Sequence, residues 1–195
     1  MNAGAFATAF PPDAPRRAVG DDFHVAVGGA LPRPLHDLYD EVGLGKHRDG
    51  LLELVDPRDY LPGYAAFFGG DAAGRTPFLL NATGEPIAYK RLGPREGEIS
   101  ILHTYGPRLE VLAYDLGDFL DRVLTTDDGL RQVVNVPLFR RLRSRLRRLR
   151  PGECFGFDPA LLRDAAPGTR ADDTWFEVVD ARDHLGLLLR RAGED

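Results

Sequence analysis

The sequence predicts an α+β fold, an antiparallel sheet of about four to six strands with helices packed on one face. Four β-prone segments, 77–82, 87–92, 98–105 and 108–114, are separated only by short Gly- and Pro-containing turns. Such spacing means hairpins, because a parallel return needs a crossover of a dozen or more residues. Ile99 and Ile101 share one strand face with His103, and Leu109, Val111 and Ala113 share another, so one side of the sheet is buried. Helical stripes flank this block on both sides in sequence.

In chain order, residues 1–20 are small and Pro-containing and predict a flexible tail or an arm laid on the domain. Phe23, Val25 and Val27 alternate with His24 and Ala26 and predict a short edge strand. Residues 31–60 organise the rest. Leu35, Leu38, Tyr39 and Val42 form one helical face, Pro34 suits its first turn and Gly43 ends it. Gly45 and Gly50 bracket a polar turn before a short apolar run, 51–55. Asp56-Pro57 then reads as an N-cap with proline at N1, opening a helix that Pro62 and Gly63 break or kink and Gly69-Gly70 ends.

After the strands, Asp115 opens a helix with Leu116, Phe119, Leu120 and Val123 on one face, and 127–135 predict a short helix. Pro137 starts a longer one, whose buried stripe is Phe139, Leu142, Leu146 and Leu149 and which Pro151-Gly152 ends. A strand at 175–179 joins or covers the main sheet, and Asp180 caps a last helix. The domain boundaries are a tail, 1–20, and a single domain, 21–195, with a subdomain boundary near Pro137.

Composition narrows function. The 195 residues carry a net charge of −5, which disfavours direct nucleic-acid binding and suits a basic partner. One cysteine, Cys154, cannot form an internal disulfide and points to the cytoplasm. No apolar run approaches the ~20 residues of a membrane span. Seven arginines and no acid lie between Arg140 and Arg150, and taking them from the net −5 leaves −12 for the rest. They read as a solvated helix face, or as an anion-binding surface through Arg141, Arg145 and Arg148.

Catalytic signatures are not found. Gly43–His47 resembles a phosphate loop but has Asp40 and His47 where the pattern needs Gly and Ser or Thr. The five histidines share no ligand spacing, so no metal and no cofactor is expected. Cys154 reads as a buried thiol between aromatics. Loop acids Glu96, Glu98, Asp127, Asp128, Asp172 and Asp173 are the candidates for docking a basic partner. An enzyme using His103 or a carboxylate pair is the least favoured reading.

A family resemblance runs through residues 23–190. Leu31-Pro32 with Leu35, Glu41-x-Gly43, Asp49-Gly50, Asp56-Pro57-x-x-Tyr60, Tyr114-Asp115 with Phe119-Leu120, and Pro137 stand in order. They are followed by Glu153–Phe157, Pro159–Leu161, and His184-Leu185 with Leu187-Leu188. This order resembles the GAD-like immunity proteins of type VI secretion, whose members guard bacteria against their own DNase effectors. Asn81–Glu85 and Leu162–Asp164 depart from the family's pattern. The resemblance implies an α+β fold, no catalysis and a cognate toxin, a nuclease, as partner. The alternative is a nucleic-acid or regulatory binding module using the Arg140–Arg150 helix. A related superfamily of similar build, the SMI1/KNR4-like proteins, is a more distant resemblance.

Overall fold

In the computed structural model, residues 3–14, 16–68, 72–94, 96–104, 108–158, 161 and 173–192 are described. Six strands form one antiparallel meander in sequence order. They are β1 (Gly45–His47), β2 (Leu52–Leu54), β3 (Arg75–Asn81), β4 (Pro86–Arg91), β5 (Gly97–His103) and β6 (Arg108–Ala113). The four hairpin strands read from the sequence are β3–β6, within two residues at their ends. Bulges shift the register between Pro77 and Leu79 on β3 and between Ile99 and Ser100 on β5.

The helices are α1 (Ala3–Ala9), α2 (Asp21–Val27), α3 (Arg33–Val42), α4 (Pro57–Phe67), α5 (Leu116–Asp118), α6 (Asp127–Val133), α7 (Val136–Arg145) and α8 (Ala181–Ala192). α5 runs directly into a π-helical turn, Phe119–Val123. The α3 stripe is buried as its spacing predicts, and the Gly43 N–H closes the helix on the Tyr39 carbonyl. At α4 the Asp56 carboxylate accepts from the Arg58 N–H at 3.1 Å, and the helix continues through Pro62 to Phe67. Gly69-Gly70 lie outside the described residues.

The expectation of helices on one face is too narrow. Ile87, Tyr89, Ile99 and Ile101 face the main core, with residues of α1, α2, α3 and the π-helical turn. The opposite face presents Ala88 and Leu102, and Tyr64 of α4 covers them. Leu80 meets Tyr60 of α4 and Leu185 of α8. Small side chains at Ala88 and Ser100 leave room for α4 there.

Of the two readings of the N-terminal residues, the arm laid on the domain is the one seen, in residues 3–14, 16 and 17, and further expectations are corrected. Phe6 and Phe10 are buried and stack at 5.3 Å, and the Arg17 and Leu44 main chains exchange hydrogen bonds across the β1 edge. Residues 23–27 are helical, because Phe23 and Val27, four apart, both reach the core while Val25 is 85% exposed. The polar turn at 45–50 contains a buried strand, β1. Near the C-terminus, β7 (Glu153–Gly156) pairs with β8 (Glu177–Asp180) in a separate two-stranded sheet. It is tied to the main sheet by the Phe155 N–H on the Ala82 carbonyl at 2.8 Å.

Candidate functional site

The arginine segment is a helix for only part of its length. Asn135 caps α7 through the Leu138 N–H, and Phe139 and Leu142 bury its inner face. The helix ends at Arg145, and 146–150 run on without helical structure. Continuing would stack like charges four apart, Arg143 on Arg147 among them, which weakens a helix. Leaving it lets Leu149 bury beside Gly50 instead.

Most of these arginines are engaged within the chain. Arg141 grips Asp173 through two nitrogens at 2.5 and 3.1 Å. Arg145 donates to the carbonyls of Asp173 and Phe176. Arg147 holds Glu153 at 2.6 Å, and Arg148 reaches Asp13 at 2.9 Å and Asp49 at 3.3 Å. Arg143 also pairs with Asp49, at 2.8 Å. Hydrogen bonds from Arg141 hold the Asp173 carboxyl below its usual range, and those from Arg147 do the same for Glu153. The trio Arg141, Arg145 and Arg148 therefore staples α7 and its extension to loops distant in sequence. Among the described residues the Arg140 guanidinium has no carboxylate partner, while the Arg150 main-chain N–H donates to the Glu153 carboxylate at 2.8 Å.

The six loop acids do not converge on one surface. Glu98 lies on β5, 8% exposed, and is held by Arg75 at 2.7 Å. Its carboxylate is spent inside the fold. Asp173 is neutralised by Arg141, and Asp172 lies outside the described residues. Glu96 is exposed in the β4–β5 turn, and Asp127 and Asp128 are exposed in the first turn of α6, where the helix dipole favours them. Asp128 pairs with Arg131 at 2.6 Å.

The structure brings together a different set. α2 and α3 lie side by side, the Phe23 and Tyr39 rings 4.8 Å apart. His24 bridges them, sharing a 2.8 Å hydrogen bond with His36 and a 2.7 Å contact with Asp40. Burial and the neighbouring His24 lower the pKa of His36. Asp21 and Asp22 of α2, Asp37, Asp40 and Glu41 of α3, and Val25 are all exposed. Arg33 approaches Asp37 at 3.9 Å, Arg58 approaches Asp22 at 4.0 Å, and Arg16 donates to the Glu41 carbonyl. The signal was in the sequence: Asp37, Asp40 and Glu41 lie opposite the Leu35–Val42 stripe. It was missed because α2 read as a strand.

Other candidate chemistry resolves into structure. Lys46, in the loop that resembled a phosphate loop, is 2% exposed and pairs with Glu53 at 2.5 Å. Burial pushes the Cys154 thiol up to about 12, which keeps it un-ionised near neutral pH. His103 is clamped between Glu85 at 3.2 Å and Glu110 at 3.3 Å, and its hydrogen bond to the Glu85 carboxylate leads in raising its pKa. Among the described residues no group of three His, Cys, Asp or Glu side chains is placed to hold a metal, and no helix is long and apolar enough to cross a membrane.

The chain matches no protein-family model and no curated protein. It is similar to the crystal structure of Atu4351 from Agrobacterium tumefaciens, at 16% identity and a TM-score of 0.71. The match covers 97% of this chain and 89% of that one. That likeness shows a shared fold.

Proposed function

We propose that this protein is a cytoplasmic immunity protein that neutralises a cognate bacterial toxin, a secreted nuclease, by stoichiometric binding. The observation that carries the reading is the packed pair α2 and α3, which together expose five carboxylates and Val25, itself 85% exposed. A nuclease offers the complementary surface, because its substrate groove must be cationic. Acids placed over that groove steer association and occlude the site, and Val25 offers an exposed apolar contact. The ordered GAD-like landmarks support the same class. The internal pairing of Arg141, Arg145 and Arg148 argues against the alternative of a nucleic-acid module built on α7.

The test is co-expression with the toxin genes that neighbour its own, scored by survival and by a one-to-one complex on gel filtration. Reversing Asp37, Asp40 and Glu41 to Lys should slow association roughly 10- to 100-fold at low salt and leave folding intact. Unchanged association by the reversed variant would remove the α2–α3 face from the interface. Failure to rescue cells from any neighbouring toxin would remove the immunity reading itself.

A further inference from the structure

We propose that the cleft between the β1–β2 turn and α7 binds the phosphate group of a small phosphorylated molecule of nucleotide size. This site is independent of the immunity reading and of the α2–α3 face. The cleft measures about 340 Å³, at the lower end of small-molecule sites. Three arginines line it, Arg48, Arg140 and Arg143, together with Ser144. Its apolar wall is Leu51, Val136 and Phe139, of which Leu51 and Phe139 are buried.

Several features set this cleft apart from the rest of the arginine segment. Arg48 and Arg140 have no carboxylate partner among the described residues, whereas Arg141, Arg147 and Arg148 do. The Arg143 Nε is buried and without a hydrogen-bond partner. The one acid lining the cleft, Asp49, is already matched by Arg143 at 2.8 Å and Arg148 at 3.3 Å. The turn that presents Arg48 is held in an unfavourable backbone conformation. Arg48, Asp49 and Gly50 all have positive φ, at 50°, 64° and 90°. The arm fixes it there, with the Arg48 N–H on the Pro11 carbonyl at 2.9 Å and the Asp49 N–H on the Asp13 carboxylate at 3.0 Å. The Arg48 guanidinium lies 5.5 Å from the centre of the Phe10 ring.

Guanidinium donors in a planar fork match phosphate oxygens, and they gain strength where one wall of the site is apolar. A flat base or ring has Leu51, Val136 and Phe139 to lie against, so the site distinguishes a phosphorylated organic molecule from a bare inorganic anion.

Calorimetric titration of the full chain with AMP and with pyrophosphate, at fixed ionic strength, tests this. AMP should bind one-to-one and more tightly than pyrophosphate. Arg140→Gln and Arg48→Asn should each weaken AMP at least about tenfold, the loss expected when one charge-assisted contact goes. Neither residue holds an internal ion pair, and asparagine tolerates positive φ, so both variants should fold, which circular dichroism checks. Arg150→Gln, lining the neighbouring cleft, should leave AMP binding unchanged. The proposal is overturned if AMP shows no saturable binding at millimolar concentration. It is equally overturned if Arg150→Gln weakens AMP as much as Arg140→Gln, which would mean diffuse attraction of anions to the whole segment.

Discussion

Lys46 and Glu53 face each other across the β1–β2 ladder, with side chains only 1% and 6% exposed. Their charged atoms are 2.5 Å apart. Lys46 also donates to the Glu153 carbonyl at 2.5 Å, and Glu53 accepts the Gly152 N–H at 2.7 Å. The pair therefore pins the first hairpin to the entry of β7. Substituting Glu53→Leu strands a buried ammonium and orphans the Gly152 N–H. Breaking a buried pair on one side costs about 3–5 kcal/mol, and the lost hydrogen bond belongs to the same network, so it does not simply add. For a domain of this size that is a fall in melting temperature of roughly 6–20 °C, at about 2–4 °C per kcal/mol. The double variant Lys46→Met/Glu53→Leu removes both charges and keeps the volume, and should lie within roughly 1–2 kcal/mol of the parent, the remainder being the unpaired Gly152 N–H. Urea unfolding of the parent, the two single variants and the double closes the cycle. A double variant as unstable as the two singles summed, or a Glu53→Leu loss under about 1 kcal/mol, would refute the argument that desolvated charge governs this corner.

Two histidines should give opposite pH slopes. Burial lowers His184 from 6.5 to about 4, so the unfolded chain binds the extra proton first. Its contribution is full above 6.5, is lost as pH falls toward 4, and amounts to roughly 3 kcal/mol; parent-minus-His184→Gln stability should shrink across that window, and a flat difference would contradict it. His103 is raised by Glu85 despite partial burial, so its contribution is full below 6.5 and disappears as pH rises through the raised value. The difference between parent and His103→Gln should thus be larger at pH 6 than at pH 9, and the reverse order would sink the clamp. Gly43 adopts φ 74° and ψ −176°, and a Cβ there would stand 2.7 Å from the Arg17 carbonyl oxygen. Gly43→Ala should cost about 1–3 kcal/mol in thermal unfolding, and a neutral result would mean that the arm yields. Asp56→Ala should cost about 1–2 kcal/mol, and Asp56→Asn less, because only the carboxylate's ion pairs with Arg58 and Arg17 are lost while the cap persists. Burial works against the Asp56 charge, but hydrogen bonds from Arg58 outweigh it and lower the pKa. Its contribution is therefore present above about pH 4 and vanishes in stronger acid; equal losses for Ala and Asn would contradict the cap.

Much of what is set locally was legible, although α4 runs on through Pro62 and Gly63 to Phe67 and α7 stops at Arg145. The α3 stripe, its Pro34 start and Gly43 stop, the Asp56-Pro57 opening of α4 and the four strands β3–β6 are all set by interactions within a few residues or by short turns. α2 failed because Phe23, Val25 and Val27 satisfy a two-residue period while Phe23 and Val27 also satisfy a helical one. The Tyr39 ring, sixteen residues away, decides between them. The choice between tail and arm for the N-terminal residues was open for a similar reason: Phe6 and Phe10 find their partners in a core assembled by later residues. β1 was hidden because Lys46 and His47 are polar, and they are buried only with Glu53 and the Phe10 carbonyl to satisfy them.

The same division runs through the candidate site. Periodicity and turn chemistry determined the class of fold, most helix and strand positions, and the excess of acid outside one basic segment. The fate of each charge was decided by tertiary structure. The carboxylates that consume the arginines come from residues 13, 49, 153 and 173, and the acids left exposed gather where two helices meet. How far a charge is spent within its own chain depends on distances that are set only when the whole chain has folded.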